Sequence, residues 1–344
     1  MQTHPSGCEI GRSGFLPDRT VHLHPLDLCN LACSHCYSAS SPLKRTILPL
    51  APLLAALPRL RAEGYEVISL SGGEPLLYPH LPAFLAAAKA EGFRTAAITN
   101  GFRVQPAHRG VIEALDRIAI SFDGLEVRHN AMRGNPQAWA RAVAGLRYLG
   151  EIGKPAAAAF TVTRESLAEV PEFIELCAAM GVRAVQLRPL VMAGRAPEAA
   201  ADQALSAADA ARLWLMAQTL QLAWEGEVAV HVDLAPAEAL AADSCAWTLA
   251  LDGGAEQRLS DAVNPLVITP EGCLRPWTYD FPEEFDLGLL QDLAPARRVW
   301  IAGGLPRLRH LLAQTLHAAG REEGFLDWFA FQRDQARRPV QVRA

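Results

Sequence analysis

Three of the seven cysteines, Cys29, Cys33 and Cys36, lie within eight positions in the segment LDLCNLACSHCYSAS. Zinc sites usually take four protein ligands, often from two C-x2-C pairs, and no second pair follows in this sequence. Three thiolates leave a metal centre one protein ligand short, so one iron of a [4Fe-4S] cluster would stay open for another molecule. The alternatives are three buried core cysteines and a three-ligand zinc site.

The elements that would position these thiols follow a regular rhythm. From about residue 21, short β-rich segments alternate with Ala- and Leu-rich helical segments, which is typical of β-α units in a parallel sheet. Polar motifs stand where the strands end, at the edge where α/β folds build sites. The sequence therefore predicts an α/β fold with a partial barrel of six β-α units. The predicted strands are 21–28, 66–73, 95–101, 117–124, 157–163 and 184–190.

Composition limits the other possibilities. A chain of 344 residues with 50% hydrophobic composition can bury a large core. The net charge of −5 and the absence of long like-charge runs argue against nucleic acid as a partner. The first twenty residues lack the build of a secretion signal, and no long apolar stretch follows, so the sequence predicts no membrane partner and a cytoplasmic location. Thiols clustered in that reducing compartment are expected to bind metal or to react.

The C-x3-C-x2-C spacing of Cys29, Cys33 and Cys36 matches the signature of the radical S-adenosylmethionine (radical SAM) enzymes position by position, and the sequence resembles that family over about residues 20–195. The resemblance implies a TIM-like barrel that holds one [4Fe-4S] cluster, with SAM bound to the open iron. It also implies cleavage of SAM to a 5′-deoxyadenosyl radical, which abstracts hydrogen from a substrate carbon. An external electron donor of the flavodoxin or ferredoxin type would reduce the cluster.

A second motif, SGGEP, resembles the GGE motif of that family, with Gly72, Gly73 and Glu74 at the end of the second predicted strand. Glycines allow the backbone to come close to a ligand, and a carboxylate can pair with the amino group of SAM. A tight turn followed by a helix-start acid is the alternative interpretation.

Five further residues are assigned to SAM by the resemblance. In ISFDG, Ser121 or Asp123 would hold the ribose hydroxyls, and Asn100 of ITNG would lie near the same ligand. Arg188 of QLRPL would face the SAM carboxylate or a substrate, and His35 takes the usually aromatic position beside the adenine. Ser121 could instead be a turn hydroxyl, and Arg188 could be part of a surface salt bridge.

The segment HNAMRG, 129–134, resembles the HD-x2-RG stretch of the SPASM and Twitch branch, which includes many peptide maturases, although Asn130 departs from it. SPASM caps carry auxiliary clusters on further cysteines, yet Trp277 stands where the hairpin cysteine after Gly272 is expected. We therefore predict an extension at 1–19, a barrel at 20–195, and a degenerate SPASM/Twitch-like α+β cap at 196–344 without a cluster.

Two thiols of the predicted cap have a possible catalytic role. Some radical SAM enzymes return a hydrogen atom to the substrate radical from a cysteine, and Cys245 or Cys273 could do so here. Unligated leftover thiols are the alternative, and Cys177 is expected to be a core residue.

The substrate is the least defined part of the prediction. The maturase resemblance favours a ribosomally made peptide, and because about twenty residues precede the first strand, a separate protein could bind the peptide leader. A sugar, amino acid or cofactor precursor is the competing substrate class. A non-catalytic iron-sulfur protein for electron transfer or assembly, and a zinc-binding interaction module, remain as hypotheses of other classes.

Overall fold

The computed structural model describes residues 18–242, Leu251 and residues 257–338. Its strands alternate with helices over most of this range. The strands are β1 (Thr20–Leu23), β2 (Val67–Leu70), β3 (Arg94–Thr99), β4 (Arg117–Phe122), β5 (Ala156–Val162), β6 (Ala184–Pro189), β7 (Ala229–Val232), β8 (Ala235–Pro236), β9 (Leu266–Ile268), β10 (Cys273–Pro276), β11 (Gly288–Leu289) and β12 (Phe325–Leu326).

Helices fill the connections between these strands, and short 3-10 turns precede some of them. Helix α1 begins directly after Pro49, and α4 ends at Gly134, whose φ of +60° lets the chain leave the helix. The helices are α1 (Leu50–Ala62), α2 (Leu81–Ala90), α3 (Arg109–Ala114), α4 (Glu126–Arg133), α5 (Ala138–Glu151), α6 (Val170–Ala179), α7 (Ala196–Ala199), α8 (Ala207–Ala223), α9 (Ala237–Ala242), α10 (Leu259–Ala262), α11 (Leu293–Ala319) and α12 (Trp328–Ala336).

One ten-stranded sheet dominates the described residues, in the order β11-β10-β9-β1-β2-β3-β4-β5-β6-β7. Strands β1 to β7 are parallel and lie in chain order, as β-α units require. The six predicted strands are confirmed, although each ends earlier than predicted. β1 stops at Leu23 rather than at residue 28, and the chain then leaves the sheet as the loop that carries the cysteines.

The C-terminal third extends this sheet on both sides. β7, which lies in the predicted cap, pairs in parallel with β6, so the parallel run is longer than the predicted six strands. β9 pairs in parallel with β1, and β9 and β10 form the predicted hairpin around Gly272, whose φ is +83°. The last two helices are separated, because α11 ends at Ala319 and β12 stands between α11 and α12.

The core lies between the strands and the surrounding helices. Alternate strand residues point toward the helices and are fully buried, as in β4 with Ile118, Ile120 and Phe122. The ring of Phe173 in α6 packs against the rings of Phe122 and Phe160 at centroid distances of 5.0 and 4.6 Å. Burial of each such side chain contributes about 1.5–3 kcal/mol. The opposite strand faces carry small or polar residues, which leaves that side free for a site.

The sheet curves enough to bring distant strands near each other. β1 and β6 are separated by four strands, yet the pKa of His22 on β1 is lowered to about 4 by burial and by the charge of Arg188 on β6. Cys177 on α6 is fully buried in the core, as predicted. Within the described parts of the chain, none of the helices has the length and apolarity needed to cross a bilayer.

Candidate active site

The cysteine loop, residues 24–48, follows β1. The backbone N–H of Cys36 donates to the Cys33 carbonyl oxygen at 3.3 Å, which closes a turn between the last two cysteines. Cys29 is buried, whereas Cys33 and Cys36 are partly exposed. Burial and neighbouring negative charge raise the pKa of Cys29 to about 12, and burial raises the pKa of Cys33 to about 11. A bound metal centre would lower the pKa of both thiols, because the thiolate is the form that binds metal.

The donor set fits a cluster better than a single ion. Among residues 18–242, Leu251 and 257–338, no three His, Cys, Asp or Glu side chains are placed to hold one metal ion. In an iron-sulfur cubane each thiolate binds a different iron, so the thiols do not converge on one point. The soft sulfur ligands and their spacing fit a [4Fe-4S] cluster.

The GGE segment is joined to this loop along its backbone. The N–H groups of Gly73 and Glu74 donate to the carbonyl oxygens of Leu26 and Leu28, both at 3.0 Å. A Cβ on Gly73 would lie 2.1 Å from the Leu28 oxygen, and Gly72 has a φ of +99°. Both glycines thus allow close backbone approach, and the segment that approaches them is the cysteine loop. Their contact with SAM stays a prediction.

Glu74 is buried to 1% exposure beneath the loop. Its Oε1 accepts hydrogen bonds from Leu76 N at 3.1 Å and Thr99 Oγ1 at 2.7 Å, and its Oε2 accepts from Asn100 N at 2.9 Å. Burial raises the pKa of this carboxyl, while these donors act in the opposite direction. Oε2 keeps a lone pair for a further donor, since a carboxylate oxygen can accept two hydrogen bonds.

Asn100 links the end of β3 to the cysteine loop. Its Nδ2 donates to Asn30 Oδ1 at 2.9 Å and lies 3.7 Å from the sulfur of Cys29. Its Oδ1 accepts from the N–H of Phe102 at 3.1 Å, which fixes the orientation of the amide. The side chain of Asn100 therefore contacts Cys29, one of the three predicted cluster ligands.

Asp123 is fully buried at the end of β4, and its partners belong to the protein. Arg133 binds it through Nε at 2.5 Å and Nη2 at 3.2 Å, and Nε2 of His35 lies 3.1 Å from its Oδ1. Burial alone would raise the pKa of Asp123, but Arg133 and His35 hold it well below its usual range. Asp123 is fully buried, whereas Ser121 on the same strand is partly exposed, and a ribose contact of either residue stays a prediction.

A second arginine, Arg195, binds the cysteine loop through two backbone carbonyl oxygens. Arg195 donates from Nε to the Cys33 carbonyl oxygen at 2.8 Å and from Nη2 to that of Ser40 at 2.9 Å. The preceding Gly194 has a φ of +57°, and a Cβ there would stand 2.2 Å from the Cys36 carbonyl oxygen. Arg133 belongs to the HNAMRG segment, but neither that segment nor the sequence around Arg195 indicates which groups these two arginines bind.

Arg188 lies in a polar group on β6 and the end of β7. Its Nε is 3.1 Å from Asp233 Oδ2, and its Nη2 donates to Gln186 Oε1 at 3.2 Å. Gln186 donates in turn to Asp233 Oδ1 at 2.7 Å. The alternative prediction of a salt bridge is thus observed, with each side chain about one third exposed. A SAM or substrate contact of Arg188 stays a prediction.

The two predicted thiol donors differ in position. Cys273 opens β10, partly buried, and burial together with the charge of Asp286 raises its pKa. Its backbone N–H donates to Thr269 Oγ1 at 3.2 Å. Cys245 lies outside the described residues. The role of either thiol as a hydrogen donor is untested and stays a prediction.

Comparison with known proteins gives a family match over the barrel. Residues 23–177 match the Radical SAM superfamily model. The chain is 33% identical over 198 residues to Pre-heme d1 synthase of Dinoroseobacter shibae, covering 56% of this chain and 48% of the relative. It is 26% identical over 172 residues to the sporulation killing factor maturation protein SkfB of Bacillus subtilis, covering 49% of this chain and 42% of the relative. The matched region thus spans about half the length of these curated relatives.

The fold is shared with a solved structure. Streptococcus suis SuiB bound to S-adenosylmethionine aligns with a TM-score of 0.63 over 86% of this chain and 68% of that chain, at 17% identity. This likeness confirms the predicted α/β fold class, a partial barrel with a C-terminal extension. The match to the Radical SAM superfamily model identifies residues 23–177 as a radical SAM domain.

Proposed function

We propose that the chain is a radical SAM enzyme with one [4Fe-4S] cluster on Cys29, Cys33 and Cys36 and SAM bound beside it. The observation that carries this proposal is the attachment of the cysteine loop to the GGE segment and to Asn100, within hydrogen-bond distances. When bound, these groups supply a 5′-deoxyadenosyl radical that abstracts hydrogen from a substrate carbon. Side chains of this chain would hold SAM and the substrate.

Three side chains are assigned to SAM on their chemistry. The free lone pair on Glu74 Oε2 suits an ammonium donor, because a charge-assisted hydrogen bond is strongest to a buried carboxylate. His35, held by Asp123, offers a flat ring for stacking on the adenine, and its Nδ1 is buried without a hydrogen-bond partner among the described residues. Ser121 offers a hydroxyl to the ribose.

The first candidate substrate is a ribosomally made peptide. SkfB, a maturation protein by name, supports this assignment, as does the structure of SuiB bound to the precursor peptide SuiA. A separate protein that binds the peptide leader is part of the same proposal.

The second candidate is a small molecule with carboxylate groups. Pre-heme d1 synthase, by its name, supports a tetrapyrrole precursor. Arg188 supports this class as well, because its guanidinium is about one third exposed and matches a carboxylate in geometry. Asp233 beside it would select a substrate that also carries a positive group, such as an amino acid.

The test is anaerobic reconstitution with iron and sulfide, followed by reduction with dithionite in the presence of SAM. We expect about four irons per chain and formation of 5′-deoxyadenosine. Peptides and a propionate-bearing porphyrin would then be compared for stimulation of 5′-deoxyadenosine release. A loaded cluster that neither binds SAM nor yields 5′-deoxyadenosine would favour the electron-transfer hypothesis instead.

A further inference from the structure

The cysteine loop carries an exposed turn, residues 42–45, between its three cysteines and α1. All four residues of this turn are exposed, and the side chain of Leu43 is 85% accessible to solvent. A single exposed leucine is common on protein surfaces, so the groups around it decide whether it has a role. In this turn its neighbours are the cations Lys44 and Arg45.

Most of the cysteine loop and the helix that follows it lack acidic residues. Residues 28–62 contain no Asp or Glu, although the whole chain has a net charge of −5. Asp27, the last acid before this range, is buried, and its two oxygens accept from Thr46 N and Thr46 Oγ1, each at 2.8 Å. The exposed turn therefore presents an apolar side chain beside two positive charges, as in contact surfaces with an apolar centre and a polar rim.

The guanidinium of Arg45 is held in place without losing its charge. Its Nη1 donates to the carbonyl oxygens of Pro42 and Lys44 at 2.6 and 2.7 Å, and both of these acceptors are neutral. The N–H of Leu43 donates to Ser41 Oγ at 3.3 Å at the start of the same turn. The shape and the charge of the exposed turn are thus fixed before any partner binds.

Backbone hydrogen bonds attach this turn to a predicted cluster ligand. The N–H of Cys29 donates to the Ser41 carbonyl oxygen at 3.2 Å, and the same oxygen accepts from Lys44 N at 3.3 Å. After the turn, the N–H of Asp27 donates to the Thr46 carbonyl oxygen at 3.2 Å. A single hydrogen bond therefore separates the backbone of Cys29 from the residue that begins the turn.

The backbone of the other two cysteines is covered by the chain itself. The carbonyl oxygen of Cys33 accepts from Arg195 Nε at 2.8 Å, and that of Cys36 accepts from Arg195 N at 3.1 Å. A Cβ on Gly194 would stand 2.2 Å from the Cys36 oxygen, so no other group fits there. The turn at 42–45, by contrast, offers an open protein surface close to a ligand.

We propose that residues 42–45 form the docking surface for an acidic one-electron carrier protein of the flavodoxin or ferredoxin type, with Leu43 at the centre and Lys44 and Arg45 at the rim. This inference rests on the proposed function. In the complex one electron passes from the reduced carrier to the cluster, so the carrier is oxidised and the cluster is reduced. The rate of electron transfer falls steeply with distance, which favours a contact beside Cys29.

The size and the charge of the surface suit this partner. Electron-transfer complexes are weak and bury small areas, so a short fixed turn can form the centre of one. Opposite charges on the two proteins raise the rate of association, and salt screens this attraction. The partner therefore needs an acidic patch around its redox group, and the complex should weaken as ionic strength rises.

The test compares a protein donor with a small one on the full-length, cluster-loaded chain. The protein donor is a reduced bacterial flavodoxin of net negative charge, and dithionite is the small reductant, which needs no docking surface. At low salt, the double variant Lys44→Glu, Arg45→Glu should bind flavodoxin at least tenfold more weakly in isothermal titration calorimetry. Flavodoxin-driven formation of 5′-deoxyadenosine should fall by a similar factor, while the dithionite-driven rate stays at the native value.

Two further variants separate the apolar contact from charge in general. Leu43→Ser should weaken flavodoxin binding and keep the native dependence on salt. Arg212 and Leu215 on α8 are the matched control, because they are 73% and 59% exposed and α8 packs against β7, five strands away from β1. Arg212→Glu with Leu215→Ser should bind flavodoxin with native affinity. Native affinity in the Lys44 and Arg45 variant, or an equal loss in the control, would overturn the inference.

Iron content separates this inference from the proposed function. If the double variant does not retain a cluster, the single variants Lys44→Glu and Leu43→Ser decide: native iron content with weaker flavodoxin binding supports the docking surface, and native binding refutes it. A native chain that loads no [4Fe-4S] cluster refutes both proposals. A native chain that cleaves SAM with dithionite, and whose flavodoxin affinity is unchanged by the Lys44 and Arg45 substitutions, refutes the docking surface alone.

Discussion

The Cα of Gly73 faces the carbonyl oxygen of Leu28 so closely that a Cβ would stand 2.1 Å from it, which is shorter than any real Cβ contact. Gly73→Ala should therefore separate the GGE segment from the cysteine loop, at a cost of about 1–3 kcal/mol in the free energy of unfolding. Urea unfolding and iron content after reconstitution measure the two effects.

Gly110 in α3 is the matched control, because a Cβ there meets nothing within 4 Å. Gly110→Ala should leave iron content unchanged and add up to about 1 kcal/mol of stability. Equal iron content in Gly73→Ala and the native chain would show that the close contact is not needed to form the site.

Replacement of a cysteine ligand should abolish cluster loading. Cys33→Ala should lose the [4Fe-4S] absorbance and the formation of 5′-deoxyadenosine, because two thiolates do not hold a cubane. Cys177→Ala is the control: its thiol is fully buried in the core, so we expect some loss of stability with iron content unchanged. Native iron content in Cys33→Ala would remove this residue from the ligand set.

Glu74 should not tolerate an amide. Glutamine has one acceptor oxygen and one NH2 group, so Glu74→Gln removes one of the two acceptors. Either Leu76 N and Thr99 Oγ1, or Asn100 N, would then be a buried donor without an acceptor. We expect a loss of about 1–3 kcal/mol in unfolding free energy and at least a tenfold loss of SAM affinity. Thr99→Val removes one donor and leaves the carboxylate intact. It should cost about 1 kcal/mol and keep SAM affinity, and equal SAM binding in both variants would contradict the assignment of Glu74.

Acid should destabilise the fold through buried histidines. Burial lowers the pKa of His24 from its ordinary value of 6.5 to about 3. Its ring stacks on Tyr279 at 4.7 Å, and Nδ1 has no partner in the described residues. The unfolded chain binds a proton below the ordinary pKa and the folded chain does not. The stability that His24 contributes is therefore full above 6.5 and is lost as pH falls toward 3.

His24→Phe keeps a flat ring and removes this titration. The slope of unfolding free energy against pH, measured between pH 5 and 6 on the metal-free chain, should fall by up to about 1.4 kcal/mol per pH unit. An unchanged slope would show that His24 is protonated in the folded chain.

The local sequence predicts the β-α units because each strand shows its own alternation of residue types and each helix has its own termination signal. It predicts neither β7 as a member of the main sheet nor the pairing of β9 with β1, since pairing partners are chosen by packing far along the chain. The C-terminal segment is a second case. Its composition favours helix beyond Ala319, yet α11 ends there and β12 pairs with β8.

The cysteine motif could be recognised because its spacing is local, whereas the side chains that bind the cysteine loop could not. Arg195 binds the Cys33 carbonyl across 162 positions, and Arg133 meets Asp123 only after α4 has folded back on β4. An arginine near a glycine is common, and nothing in the sequence distinguishes one that reaches a loop carbonyl. The motif predicts a ribose contact for Ser121 or Asp123, and it does not indicate that the Asp123 oxygens bind Arg133 and His35.

The position of β1 between β2 and β9 has a consequence for synthesis of the chain. On the ribosome, β1 and the cysteine loop emerge long before residues 266–268, the strand that pairs with one edge of β1. During that interval the strand exposes unpaired backbone groups, a liability for aggregation. Pairing at such sequence separation also forms slowly. We therefore expect stable iron uptake to follow release of the full chain, and a chain truncated before residue 266 to be insoluble or poor in iron.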